Sequence, residues 1–95
     1  MTLLGKKQLQ EFKEKHTDAR PQVESWEAEV EEEQWSTPQD LKARYPKASI
    51  IGNQKVVFNI CGNRYRLWVQ VNYKNKIVLV KKIGTHKEYD KWNID

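Results

Sequence analysis

The run Gly84-Thr85-His86-Lys87-Glu88-Tyr89-Asp90 sets a histidine and a tyrosine three residues apart, the spacing that puts two side chains on one side of a helical turn. Histidine has an unperturbed pKa of roughly 6.5, near working pH, which suits it to general acid–base chemistry. A tyrosine hydroxyl can donate or accept, and its ring can stack. Metal-independent RNA cleavage needs a base to activate the ribose 2′-OH, cations to stabilise the phosphorane, and an acid to protonate the departing 5′-oxygen. His86, Arg66 and nearby lysines can fill these roles. A histidine beside a tyrosine in this segment also fits a plain surface or capping position, so the motif gains weight only from what positions it.

Its setting begins with a hairpin. From Lys55 the hydrophobic period is two: Val56, Phe58 and Ile60 alternate with Val57, Asn59 and Cys61. After Gly62-Asn63, a favoured two-residue turn, Tyr65, Leu67, Val69 and Val71 alternate with Arg66, Trp68, Gln70 and Asn72. With Cys61 and Arg64 flanking the turn, Ile60 faces Tyr65, Phe58 faces Leu67 and Val56 faces Val69 on the core side. The other side carries Asn59 across from Arg66 and Val57 across from Trp68. A turn over Tyr73–Asn75 would lead into a strand over Lys76–Ile83 and set Lys82 beside Arg66; a two-residue turn would set Ile83 there. Arg, Lys, Asn and Trp on an exposed sheet face suit phosphate clamping with base stacking. They equally suit the solvated side of a half-buried sheet.

Helices precede the sheet. Leu9, Phe12 and His16 have helical spacing within residues 5–16, behind a Leu3-Leu4 pair that fits a short strand or a first turn. Asp18 reads as the N-cap of a second helix, with Pro21 near its start, Val23, Trp26 and Val30 on one face, and an end near Gln34. Its glutamates fit a solvated face or a docking surface for a basic partner. Thr37-Pro38-Gln39-Asp40 is a helix-start pattern, and that helix ends before Pro46. Helices followed by a strand meander predict an α+β fold, a compact single domain over 1–95 with its helices on one sheet face.

Composition narrows the function. The 95 residues carry a net charge of +4, yet residues 1–48 hold eight Lys/Arg against ten Asp/Glu, a balance of −2, while 49–95 hold nine against three, a balance of +6. A strongly basic half suggests a polyanionic partner. So short a chain excludes a large enzyme with a deep cofactor cleft. One cysteine excludes an intramolecular disulfide and fits a reducing compartment. The start does not read as a signal peptide, and no apolar run approaches the roughly 20 residues of a membrane span. Neither metal-ligand spacing nor a phosphate loop is present. A cytoplasmic protein without metal or cofactor is expected.

The stretch Val56–Tyr73 (VVFNICGNRYRLWVQVNY), with Ile83–Asp90 (IGTHKEYD) behind it, resembles the HigB toxins of bacterial type II toxin–antitoxin modules, within the wider RelE-like group. The likeness also takes in the Lys-rich first helix, the acidic second helix and Thr37-Pro38, nearly the whole chain. It implies a compact RelE-like fold, with helices on one face of a twisted, mainly antiparallel sheet. It implies an endoribonuclease that cuts mRNA, usually on the translating ribosome, by 2′-OH attack giving a 2′,3′-cyclic phosphate. By motif match the catalytic residues would be Arg66, which binds the phosphate, His86, the general acid or base, and Tyr89, which stacks on a base, with Trp92 a second match for that stacking. Arg64, Trp68, Lys82, Lys87 and Asn59 would bind RNA. The partners implied are mRNA, the ribosome and a HigA-type helix-turn-helix antitoxin, with operator DNA reached only through that antitoxin.

Two other readings fit the same residues. A non-catalytic RNA- or ribosome-binding module would keep the basic face without cleaving. An interaction subunit would act through the acidic segment 24–33. DNA reading by this chain alone is disfavoured, because no basic recognition helix follows a turn.

Overall fold

Leu3, too short a signal to define a strand by periodicity, pairs with Val78 at the edge of a five-stranded sheet. The computed structural model describes residues 1–52 and 54–94. In chain order the elements are β1 (Thr2–Leu4), α1 (Lys6–Lys15), a 3-10 turn (Thr17–Ala19), α2 (Arg20–Glu32), α3 (Pro38–Arg44), β2 (Ser49–Ile51), β3 (Lys55–Ile60), β4 (Tyr65–Asn72), β5 (Ile77–Thr85) and α4 (His86–Tyr89). The sheet order is β1-β5-β4-β3-β2. β1 runs parallel to β5, and the other neighbours are antiparallel. This is the expected α+β arrangement, with β1 and β2 added to the meander.

The core lies on one sheet face, where Val56, Phe58, Ile60, Leu67, Val69, Val71, Val78 and Val80 meet Leu9, Phe12, Val23, Trp26, Val30 and Leu41 of the helices. Gly5 lets α1 leave β1 closely over β5: at φ 84° it needs left-handed backbone, and a Cβ there would come 2.9 Å from the Val80 carbonyl oxygen. The box at α3 is built as its sequence predicts: the Thr37 side chain accepts from the Asp40 N–H, and the Asp40 carboxylate accepts from the Thr37 N–H.

Asp18 departs from expectation. The chain first makes the 3-10 turn, so α2 begins at Arg20 with Ala19 before it and no side-chain cap. Asp18 is turned instead toward β4, where the Tyr65 hydroxyl donates to both its carboxylate oxygens at 2.9 and 3.0 Å. The glutamates of α2 are mostly held within the molecule: Glu24 and Glu27 pair with Lys13, Glu31 with Lys6, and Glu29 and Glu33 with Arg44. Tyr45 also donates to Glu29; burial, reinforced by that bond, pushes the Tyr45 phenol well above its ordinary value. These pairs leave less of the acidic stripe available to a partner than its composition suggests.

The β3–β4 register matches the sequence reading residue for residue, Asn59 opposite Arg66 and Val57 opposite Trp68. The β4–β5 register does not. A four-residue connection, with Lys76 at φ 59°, joins Asn72 to Ile77, and a bulge then shifts the ladder: Val69 opposes Val80, but Trp68 opposes Lys82 and Arg66 opposes Gly84. Lys82 therefore stands two residues from its expected place beside Arg66, on the same sheet face.

Candidate functional site

The sheet face away from α1–α3 is partly roofed by the segment following β5. Trp92 lies over Trp68, ring centroids 6.4 Å apart, and meets Tyr89 edge-on at 5.6 Å. Val57, on this face by register, is 2% exposed. The expected open platform is thus a covered one: Trp68 is half-buried, and its indole N–H is enclosed without a hydrogen-bond partner among the described residues. Trp92 is the aromatic ring laid over this face, a position that strand periodicity could not reveal.

Gly84 makes that roof possible. A Cβ at this position would stand 2.9 Å from Glu88 Oε1 and 3.1 Å from Trp92 Cζ2. Gly84→Ala should therefore displace Trp92 and cost about 1–3 kcal/mol, as overpacking does. A urea-unfolding midpoint unchanged from wild type would contradict this.

Immediately after Gly84, Thr85 caps α4. Its side chain accepts from the Glu88 N–H at 3.1 Å, and Glu88 accepts from the Thr85 N–H at 2.8 Å. The latter bond holds the Glu88 carboxyl below its ordinary value of 4.5. A carboxyl lowered on folding stabilises above its unfolded value and loses that stabilisation as pH falls through the folded one. Acidification below 4.5 should therefore loosen α4, and Glu88→Gln should blunt that response, read by NMR shifts of the His86 ring. A wild-type response unchanged in Glu88→Gln would contradict the assignment.

This cap fixes the chemistry-bearing residues. The His86 backbone N–H donates to the Arg64 carbonyl at 3.0 Å, tying α4 to the hairpin. His86 and Tyr89 meet edge-to-face with centroids 6.3 Å apart, and the Arg66 guanidinium lies over the Tyr89 ring, 5.4 Å from its centroid. Arg66 donates to the Asn63 carbonyl at 3.1 Å, which steers the guanidinium along the hairpin turn. Arg66, Tyr89 and His86 thus form one cluster, joined through the tyrosine. Asp90 Oδ2 lies 3.7 Å from His86 Nδ1, a neighbour that the sequence reading left out although four residues separate the two.

The remaining candidates lie around this cluster. Arg64 pairs with Asp18 at 3.0 Å and covers the Tyr65 ring, with 67% of its side chain exposed. The Tyr65 hydrogen bond, aided by Arg64, holds the Asp18 carboxyl below the usual carboxylate range. Asn59 lines a groove of about 480 Å³ with Gln22, Lys47, Phe58 and Asn63. Lys82 and Lys87 are exposed. Among the described residues, Arg66, Lys82 and Lys87 take part in no ion pair, whereas Lys6, Lys13, Arg20, Arg44 and Arg64 do. Of these, Arg66 is the one in contact with the Tyr89 ring.

Among the described residues no group of three or more His, Cys, Asp or Glu side chains is placed to hold a metal ion, and no helix is long and apolar enough to cross a membrane. Residues 19–92 match the model of the family described as HigB_toxin, RelE-like toxic component of a toxin-antitoxin system. The chain is 28% identical over 93 residues to the mRNA interferase HigB of Escherichia coli O6:H1, covering 96% of this chain and 90% of that protein. It is 26% identical over 92 residues to the mRNA interferase toxin HigB of Escherichia coli strain K12, covering 95% and 88%. The mRNA interferase HigB of Shigella flexneri gives the same identity and coverage.

Proposed function

The chain belongs to the HigB family of RelE-like toxic components of toxin–antitoxin systems, and from that premise we propose that it is an endoribonuclease that cuts mRNA on the translating ribosome. The observation that carries the reading is the cluster at the end of β5: a guanidinium free of any ion pair among the described residues, stacked on a tyrosine that touches a histidine. Names of similar proteins as mRNA interferases support the substrate class.

In the proposed reaction His86 takes the proton from the ribose 2′-OH. Asp90, beside Nδ1, favours the tautomer that keeps a proton there and leaves Nε2 as the base. The 2′-oxygen attacks the adjacent phosphorus, and Arg66 stabilises the added negative charge. The bond to the 5′-oxygen then breaks, that oxygen takes up a proton from solvent water, His86 releases its proton to solvent, and a 2′,3′-cyclic phosphate and a 5′-hydroxyl remain. Tyr89 holds the guanidinium plane and offers its hydroxyl near the reacting groups. Arg64, Asn59, Lys82 and Lys87 bind flanking RNA. Trp92, which covers Trp68, takes over the stacking role that the sequence suggests for Trp68.

The partner of such a toxin is its cognate antitoxin, here a HigA-type helix-turn-helix protein that reaches operator DNA on the toxin's behalf. Expression with and without that antitoxin, together with mRNA cleavage in a translating extract, tests the reading. Growth arrest relieved by the antitoxin and mRNA cut only in ribosome-bound form are expected. RNA binding without cleavage would instead identify a non-catalytic module.

A further inference from the structure

The bulge in β5 does more than shift register. Val80 faces the core and is 2% exposed, and strict alternation would then turn Lys82 toward the core as well. Val69 opposes Val80 and Trp68 opposes Lys82, so Lys81 is the extra residue in the ladder. Both Lys81 and Lys82 are exposed, and Ile83 returns to pack against the core. One inserted residue thus sets two adjacent ammonium groups on the face that carries Arg66. Among the described residues neither is in an ion pair.

Their position relative to the cluster is defined by the ladder. Arg66 opposes Gly84, and Lys82 lies two residues back along β5, about 7 Å at the usual strand rise. Trp92 rests on Gly84 and Trp68, the partners of Arg66 and Lys82. An aromatic ridge therefore separates a guanidinium from a twin-lysine site by about one phosphate-to-phosphate step of an extended single strand.

We infer that Lys81 and Lys82 form a second phosphate subsite, which grips the RNA phosphate next to the one cleaved while the intervening nucleotide crosses Trp92. This rests on the nuclease reading for the identity of the ligand. Lys81, absent from the motif-based candidates, becomes a substrate-binding residue because the bulge sets Lys82 beside it on this face.

The test uses the full chain and a single-stranded RNA oligonucleotide blocked by 2′-O-methyl groups, with binding followed by fluorescence anisotropy. Lys81→Ala and Lys82→Ala should each weaken binding about tenfold, the low end for a charge-assisted hydrogen bond, and lower the salt-dependence slope by about 0.7. Lys7→Ala, on exposed α1, should change affinity less than about twofold, the size of a general electrostatic effect. A neutral methylphosphonate at the phosphate beside the cleaved one should abolish the Lys81→Ala deficit. Lys81→Ala binding no worse than Lys7→Ala, a deficit indifferent to the neutral linkage, or no RNA binding by the wild type would each overturn the subsite. Cleavage of mRNA in a translating extract is scored separately: the predicted binding pattern without cleavage there keeps the subsite and rejects the nuclease.

Discussion

His86→Ala should slow RNA cleavage by about 10²–10⁴-fold, the usual contribution of a positioned general acid or base, and should abolish growth arrest. The side chain is 50% exposed, and the contacts that fix α4 come from its backbone N–H and the Thr85–Glu88 cap, so the fold should survive. Arg66→Ala should cost about 10²–10³-fold through loss of charge stabilisation at the phosphorane. Arg66→Lys should restore only part, because an ammonium keeps the charge but not the planar fork stacked on Tyr89. The double variant should be little worse than the poorer single one, as for residues that act as a unit. Single-turnover cleavage rates decide the matter, and a His86→Ala protein cutting at the wild-type rate would remove the histidine from the mechanism.

Lys13→Ala should destabilise the fold by about 3–5 kcal/mol without touching the site. Lys13 is 5% exposed, packed between α1 and α2, with its ammonium 2.9 Å from Glu27 Oε1 and 3.5 Å from Glu24 Oε2. Glu27 Oε1 is enclosed and among the described residues has no partner in hydrogen-bonding geometry, so the contact with Lys13 is an ion pair. Removing the cation leaves the enclosed Glu27 Oε1 uncompensated. Against a total stability of about 5–15 kcal/mol, that loss is a large fraction. Replacing both partners, Lys13→Met with Glu27→Leu, should recover most of it, since desolvating the pair offsets much of its Coulomb attraction. Urea denaturation measures both. A Lys13→Ala midpoint equal to wild type would show that the pair is solvated in solution.

The residues that form the site were legible in the sequence to the extent that local rules governed them. Strict alternation on both sides of Gly62-Asn63 defines the β3–β4 register, because a one-residue slip would turn Phe58 and Leu67 out of the core. The structure adds the reciprocal capping box of Thr85 and Glu88, and that box positions His86 and Tyr89. Lys82 stands away from the place that alternation alone gives it because two non-periodic events intervene, a four-residue connection after Asn72 and the bulge at Lys81. Asp18 fits an N-cap locally, but the Tyr65 hydroxyl and the Arg64 guanidinium, 47 and 46 positions away in sequence, hold it elsewhere. β1 and β2 are three residues each, too short to show a period. Trp92 folding back over Trp68 is a tertiary contact, and it turned an apparently open face into a roofed one.

The chemistry of the product ends tests the central claim most directly. RNA cut by the wild-type protein should carry a 2′,3′-cyclic phosphate on one fragment and a 5′-hydroxyl on the other, and a single 2′-deoxy substitution at the cleaved nucleotide should block the reaction. Fragments ending in 5′-phosphate and 3′-hydroxyl, or cleavage at the deoxy-substituted position, would contradict 2′-OH attack directed by Arg66 and His86.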